Sequence, residues 1–120
     1  MFAQDYSEFI RDVTIPDGSL IEANETFTKI WEVRNAGGVL WKDRSLTRLG
    51  DNQGFGLITS PRHVNIPDTL PGQKVLIEVE LKAPESRGTY QATWKMTFAD
   101  GRLCFPDRYK YGLFVVINVP

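Results

Sequence analysis

Between Gly88 and Phe98 the chain reads GTYQATWKMTF, and apolar and polar residues alternate along it without a break. Tyr90, Ala92, Trp94, Met96 and Phe98 fall on one side of an extended backbone; Gln91, Thr93, Lys95 and Thr97 fall on the other. A helix would scatter the same apolar groups around its circumference, because its side chains repeat every 3.6 residues rather than every two. The pattern recurs in KVLIEVELKAP, where Val75, Ile77, Val79 and Leu81 share a face and Leu76 is the exception. In FTKIWEVRN the face is Phe27, Trp31 and Val33; Lys29 interrupts it and Ile30 sits opposite, which predicts a bulge or a partly covered outer face. GLFVVINV is apolar on both sides, as a strand flanked by two neighbours requires. No stretch of a dozen residues keeps helical spacing free of turn formers, and AQDYSEFIRDV, the nearest, reads equally as a short strand.

Turn signals separate these runs. IPDGS, NAGG, LPGQ and ADGR each place Gly, Pro, Asn or Asp where a chain reverses. Strands buried on one face and joined by tight turns predict an all-β fold, an immunoglobulin-like antiparallel β-sandwich of about seven strands. The expected organisation is a single domain over 1–120 with its core from about 9 to 119. The expected core is Phe27, Trp31, Val33, Val75, Ile77, Val79, Tyr90 and Trp94; Trp41, at the start of a strand with Lys42, Arg44 and Arg48, reads as core edge or as a surface anchor, with core favoured. RLGDNQGFGLITSPRHVNIPDTLPG, from Arg48 to Gly72, is rich in Gly and Pro but keeps returning to apolar residues. It predicts short edge strands near Phe55–Thr59 and His63–Ile66, ended by Pro61, Pro67 and Pro71. Phe55, Leu57, Ile58 and Ile66 are expected to fold it back onto a sheet.

Fourteen Lys and Arg stand against fifteen Asp and Glu, so the chain lacks the global basic field that nonspecific DNA binding exploits. One cysteine, Cys104, permits no intrachain disulfide and fits a reducing, cytoplasmic setting. No apolar run reaches the roughly 20 residues of a membrane-spanning helix. His63 is the only histidine, and no Gly-x-Ser-x-Gly elbow or other nucleophile context accompanies it or Cys104. One Cys and one His cannot close a zinc site. Asp51, Asp68, Asp100 and Asp107 sit beside Gly or Pro, where Asp serves turns, and no calcium-loop spacing is present. The residues therefore predict no enzyme, no cofactor and no metal. Lys42, Arg44 and Arg48 share one face of an expected strand, and Arg102, Arg108 and Lys110 form a second basic group. A solvated face accounts for both groups; a patch for an acidic partner is the alternative.

Three stretches stand together: VTIPDGSLIEANETFTKIWEVRNAGGVLW, LPGQKVLIEVELKAPESRGTYQATWKM and ADGRLCF. They resemble the four-tryptophan domain, the immunoglobulin-like domain of a selective-autophagy cargo receptor family. The matching marks are Asp17-Gly18, Phe27-x-Lys29-x-Trp31, Asn35, Trp41, Pro71-Gly72, Ala83-Pro84, Gly88-x-Tyr90 and Trp94. The fourth tryptophan is missing, and the last hairpin, through CFPDRYKYG, is longer than the usual form. GLITSPRHVNIPDTLPG and DGRLCFPDRY look like actinobacterial versions, which often follow a helix-turn-helix domain in a transcriptional regulator. The resemblance implies a non-catalytic module that binds a protein partner or another copy of itself. It also implies an excised C-terminal part of a bacterial regulator, making no direct nucleic-acid or membrane contact. Candidate contact residues are Arg62 and His63 in the central stretch, and Phe105, Arg108, Tyr109 and Tyr111 in FPDRYKY, where aromatic and basic side chains cluster as at interface anchors. A carbohydrate-binding sandwich is the alternative, with Trp41, Tyr109 and Tyr111 stacking on sugar rings.

Overall fold

The computed structural model describes residues 4–108 and 112–120. Eight strands form two sheets, and no helix occurs among the described residues. Strands β1 (Ser7–Asp12), β3 (Thr26–Asn35) and β6 (Lys74–Lys82) make the first sheet, in the order β1-β3-β6. The second runs β2-β8-β7-β4-β5, with β2 at Ser19–Leu20, β4 at Arg44–Arg48, β5 at His63–Ile66, β7 at Gly88–Thr97 and β8 at Leu113–Val119. All pairings are antiparallel except the two-residue β2 against β8. The chain changes sheet between most successive strands, while β4 with β5 and β7 with β8 form antiparallel hairpin-like pairs within one sheet. This is the immunoglobulin-like sandwich that the alternating runs predict. GLFVVINV, apolar on both sides, supplies β8 and lies between β2 and β7.

The turns form where residue type demands. In LPGQ, Gln73 N–H donates to Leu70 O at 3.0 Å and Gly72 takes φ +86°, a conformation that L side chains rarely adopt. Inside, Trp31 of β3 meets Trp94 of β7 edge to face, ring centres 5.3 Å apart, and both are fully buried. Trp31 Nε1 donates to Phe114 O of β8 at 3.1 Å, joining the two sheets through one indole. Burying each ring contributes roughly 2–3 kcal/mol from area alone. Phe27, Val33, Ile77 and Val79 are buried around them, and Val75 and Tyr90 pack at the margin.

Of the two alternatives at Lys29, the partly covered outer face is what the structure has, with Ile30 half-buried there, and β3 carries no bulge against β6. Strand β3 keeps an unbroken register against β6, and Lys29 points inward with no exposed surface. Its ammonium donates to Asp12 Oδ1 at 2.7 Å and to Thr14 O and Ile15 O at 2.8 Å each. Ile15 sits at φ +52°, costly for a β-branched residue, and the carbonyl it presents is one of these three acceptors. The bulge lies in β1 instead, between Phe9 and Arg11.

The central stretch is folded back, but not as two strands. Only His63–Ile66 forms one; 55–59 is a series of turns ending in a bridge between Thr59 and Lys82. Ile58 and Ile66 enter the core while Phe55 stays 86 % exposed. The anchor is polar: Arg48 Nη1 donates to Ile58 O at 2.8 Å and to Ser60 Oγ at 2.9 Å, and Asn52 Nδ2 to Ser60 O at 2.8 Å.

Candidate interaction site

The sandwich opens where two edges fail to close. On one side is β1, an edge strand that holds Phe9 half exposed because the bulge beyond it shifts the register. On the other is the end of β7. After the Asp100-Gly101 turn, Leu103 bridges Thr97 and Cys104 N–H donates to Met96 O at 3.0 Å. The next strand residue among those described is Leu113, the first of β8. Gly112 precedes it, and at φ +60° it presses so close to Trp94 O that a Cβ would collide with that carbonyl. Trp94 and Met96 stay buried, and among the described residues a recess remains between β1, Leu103 and Gly112. The cleft measures about 120 Å³ and is walled by Phe9, Val33, Leu46, Trp94, Leu103 and Phe105, with Ser7 and Lys95 as polar entrants.

A charged hinge holds the first strand beside this cleft. Asp5 accepts from Arg44 at both oxygens, at 3.1 and 2.8 Å, and its Oδ1 also takes the Trp41 indole N–H at 3.3 Å. Arg108 stacks on Tyr6, 4.3 Å from the ring centre, and its Nη1 reaches Asp5 O at 3.5 Å. Arg108 is therefore tied to the two residues just before β1.

Among the sequence-predicted contact residues, Phe105 forms a wall of the cleft and Arg108 stands exposed beside it. Tyr109 and Tyr111 lie outside the described residues. Arg62 and His63 are elsewhere, at the β5 edge. Arg62 donates to Gly50 O at 3.3 Å and to Asn52 Oδ1 at 2.9 Å, and His63 Nδ1 pairs with Thr47 Oγ1 at 2.9 Å. They share neither a strand nor a hydrogen-bond partner with Arg108. Phe9, Leu103 and Asp5 were not singled out from sequence. The available signal was the mismatch between a long final hairpin and a β8 run that starts only at Gly112.

Several expectations fail on burial. Arg44 and Arg48 do not form a solvated basic face with Lys42; both side chains turn inward, opposite the end of β7, and only Lys42 is exposed. Trp41 is wholly buried and cannot stack on a sugar, which removes the one described aromatic of the carbohydrate reading. Burial, the largest influence, pushes the Cys104 thiol up to about 11, outweighing the nearby Arg44 charge, so the thiol stays neutral at ordinary pH. Exposed Asp100 is held below the usual carboxylate range, first by the Arg102 backbone N–H and then by its side chain, the chemistry of a turn. Among the described residues, no group of three or more His, Cys, Asp or Glu is placed to hold a metal ion.

The family described as the Ig-like domain from next to BRCA1 gene matches residues 14–119, and the chain belongs to it. The Arabidopsis thaliana Protein NBR1 homolog is 27% identical over 96 residues, covering 79% of this chain and 14% of that protein. Protein ILRUN of Danio rerio is 30% identical over 96 residues, covering 78% of this chain and 32% of that one. The human Next to BRCA1 gene 1 protein is 30% identical over 87 residues, covering 72% and 9%. The chain thus spans less than a third of the length of these relatives. It is an Ig-like module related to plant and animal proteins. The expectation of a bacterial helix-turn-helix regulator fragment is overturned by these eukaryotic relatives. Its support came from Gly- and Pro-rich loops, and such residues recur wherever a sandwich must turn, whatever its lineage.

Proposed function

We propose that this domain is the protein-binding part of a longer cytoplasmic protein and that it captures an apolar side chain of its partner in the cleft between β1 and β7. One observation carries the reading: Phe9, half exposed, Leu103 and Phe105 line an opening onto the buried face of Trp94. An apolar recess with few polar groups at its entrance suits a single anchoring residue of a protein, the usual source of binding energy at such contacts. Arg108, exposed beside Phe105, supplies a polar rim. A protein suits the site better than a nucleic acid because Arg44 and Arg48, two of the expected basic face, point into the core. The cytoplasmic setting rests on a fold that stands with a single cysteine and no disulfide. Arg62 and His63 belong to a separate surface and serve as the control.

The test is photo-crosslinking in extracts of the source cells, with a benzophenone amino acid placed at Phe9 in one variant and at His63 in another. Labelling of a discrete partner from position 9, suppressed by Leu103→Asp, is the expected result. Labelling from position 63 instead would move the contact to the β5 edge.

A further inference from the structure

The described sheet edges differ in what they leave open. β1 has its register broken by the bulge, β2 has two residues, and β5 has four residues with Pro61 and Pro67 close to its ends. β6 is different: it runs from Lys74 to Lys82 in continuous register with β3 on one side. On its other side only Lys82 is occupied, exchanging two 3.0 Å backbone hydrogen bonds with Thr59. Lys82 therefore directs its peptide groups away from β3. Backbone direction alternates along a strand, so Glu80, Glu78, Leu76 and Lys74 do the same. Their side chains share the outer face, where Leu76 is 46 % exposed, while Ile77 and Val79 turn into the core.

We propose that β6 is a self-association edge, and that two copies of the chain pair their β6 strands antiparallel about a two-fold axis at Ile77. This register uses all four free residues, Lys74 to Glu80. It places Lys74 opposite Glu80 of the other copy twice over, and sets the two Leu76 side chains on a diagonal, within reach of each other. Centring the pair on Glu78 instead would set Lys74 against Lys82, a like-charged residue whose backbone Thr59 already holds. Centring it on Leu76 would also set Lys74 against Glu78 twice over, but would pair only three of the four outward residues and leave Glu80 against Gly72. The Ile77 register is therefore set by using every free residue together with the Lys74–Glu80 pairing, and exchanging those two charges separates it from the Leu76 register. The product is a six-stranded sheet across the two copies. Because β1 and β6 flank β3 on opposite sides, both clefts stay open and the dimer presents two of them.

Sedimentation equilibrium of the chain over micromolar to millimolar concentration tests this. The unaltered chain is expected to dimerise. Lys74→Glu should raise the dissociation constant about tenfold or more, since both cross-strand pairs become repulsive. Combining Lys74→Glu with Glu80→Lys should restore it. Leu76→Pro removes an outward N–H that β3 does not use, so the variant should keep its β circular dichroism and sediment as a monomer. A chain that stays monomeric at millimolar concentration overturns the proposal. So does a dimer indifferent to Leu76→Pro, and failure of the double exchange to restore pairing overturns the register.

Discussion

Strand β4 carries two arginines that turn into the sandwich, and they are housed in opposite ways. Arg44 lies 4.9 Å from the Phe98 ring centre and 5.9 Å from that of Trp41, with its guanidinium closed onto Asp5. The Trp41 indole donates to the same carboxylate, so one anion settles both groups. Four residues on, Arg48 lies 5.3 Å from the ring centre of Trp94, its cross-strand partner, with no carboxylate in its hydrogen-bond set. A carbonyl and a hydroxyl take its Nη1, while Arg48 Nε and Trp94 Nε1 have no hydrogen-bond partner among the described residues. Burial first, and the Arg62 charge second, hold the Arg48 pKa below its ordinary value. The contrast shows two uses of an inward cation. Arg44 ties down the segment before β1 through a full charge, and Arg48 ties down a loop through dipoles. A buried charge without its counterion is costly, so the first arrangement is strong only while complete.

The sharpest break is Asp5→Ala. It strands Arg44, which is 4 % exposed, and should cost about 3–5 kcal/mol in urea unfolding. An unchanged midpoint would mean that solvent, not Asp5, settles the charge. A smaller effect separates the two indoles. Trp41→Phe and Trp94→Phe remove the same volume from fully buried sites, but only Trp41 loses a hydrogen bond to a carboxylate. Trp41→Phe should therefore be the worse by about 1–2 kcal/mol in paired denaturation curves. Equal losses would erase the distinction between the two housings. The smallest effect belongs to Arg48→Met. An apolar chain of similar length removes a cation that has no carboxylate, which offsets part of the loss of a donor to Ile58 O and Ser60 Oγ, and stability should fall by about 1 kcal/mol. An unchanged or raised midpoint would show that these bonds do not hold the central stretch in place.

The fold was legible because its evidence is local. The alternation in β6, β7 and β8 identifies both strand and inner face within a few residues, and Gly72 or Asp100-Gly101 marks a reversal by residue type alone. The central stretch was half legible: Ile58 and Ile66 are apolar and enter the core, but Phe55, equally apolar, does not. What separates them is the polar anchoring around Arg48 and Ser60, which periodicity does not encode. The cleft was legible only at Phe105. Its other walls come from β1, β3, β4 and β7 and from Leu103, brought together by the sheet order.

By itself the sequence determined that this chain is a sandwich and that Phe27, Trp31, Val33 and Trp94 face inward, since a two-residue period leaves an extended backbone no other way to bury them. The tertiary structure decided the fate of the charges. Lys29, Arg44 and Arg48 each interrupt or accompany an apolar face, and sequence alone favours sending such residues to water. Each goes inside because acceptors arrive from elsewhere in the chain: Asp12, Thr14 and Ile15 for the lysine, Asp5 for one arginine, Ile58 and Ser60 for the other. Burying a cation depends on partners within about 3 Å, and which residues come that close is settled only when the two sheets have packed.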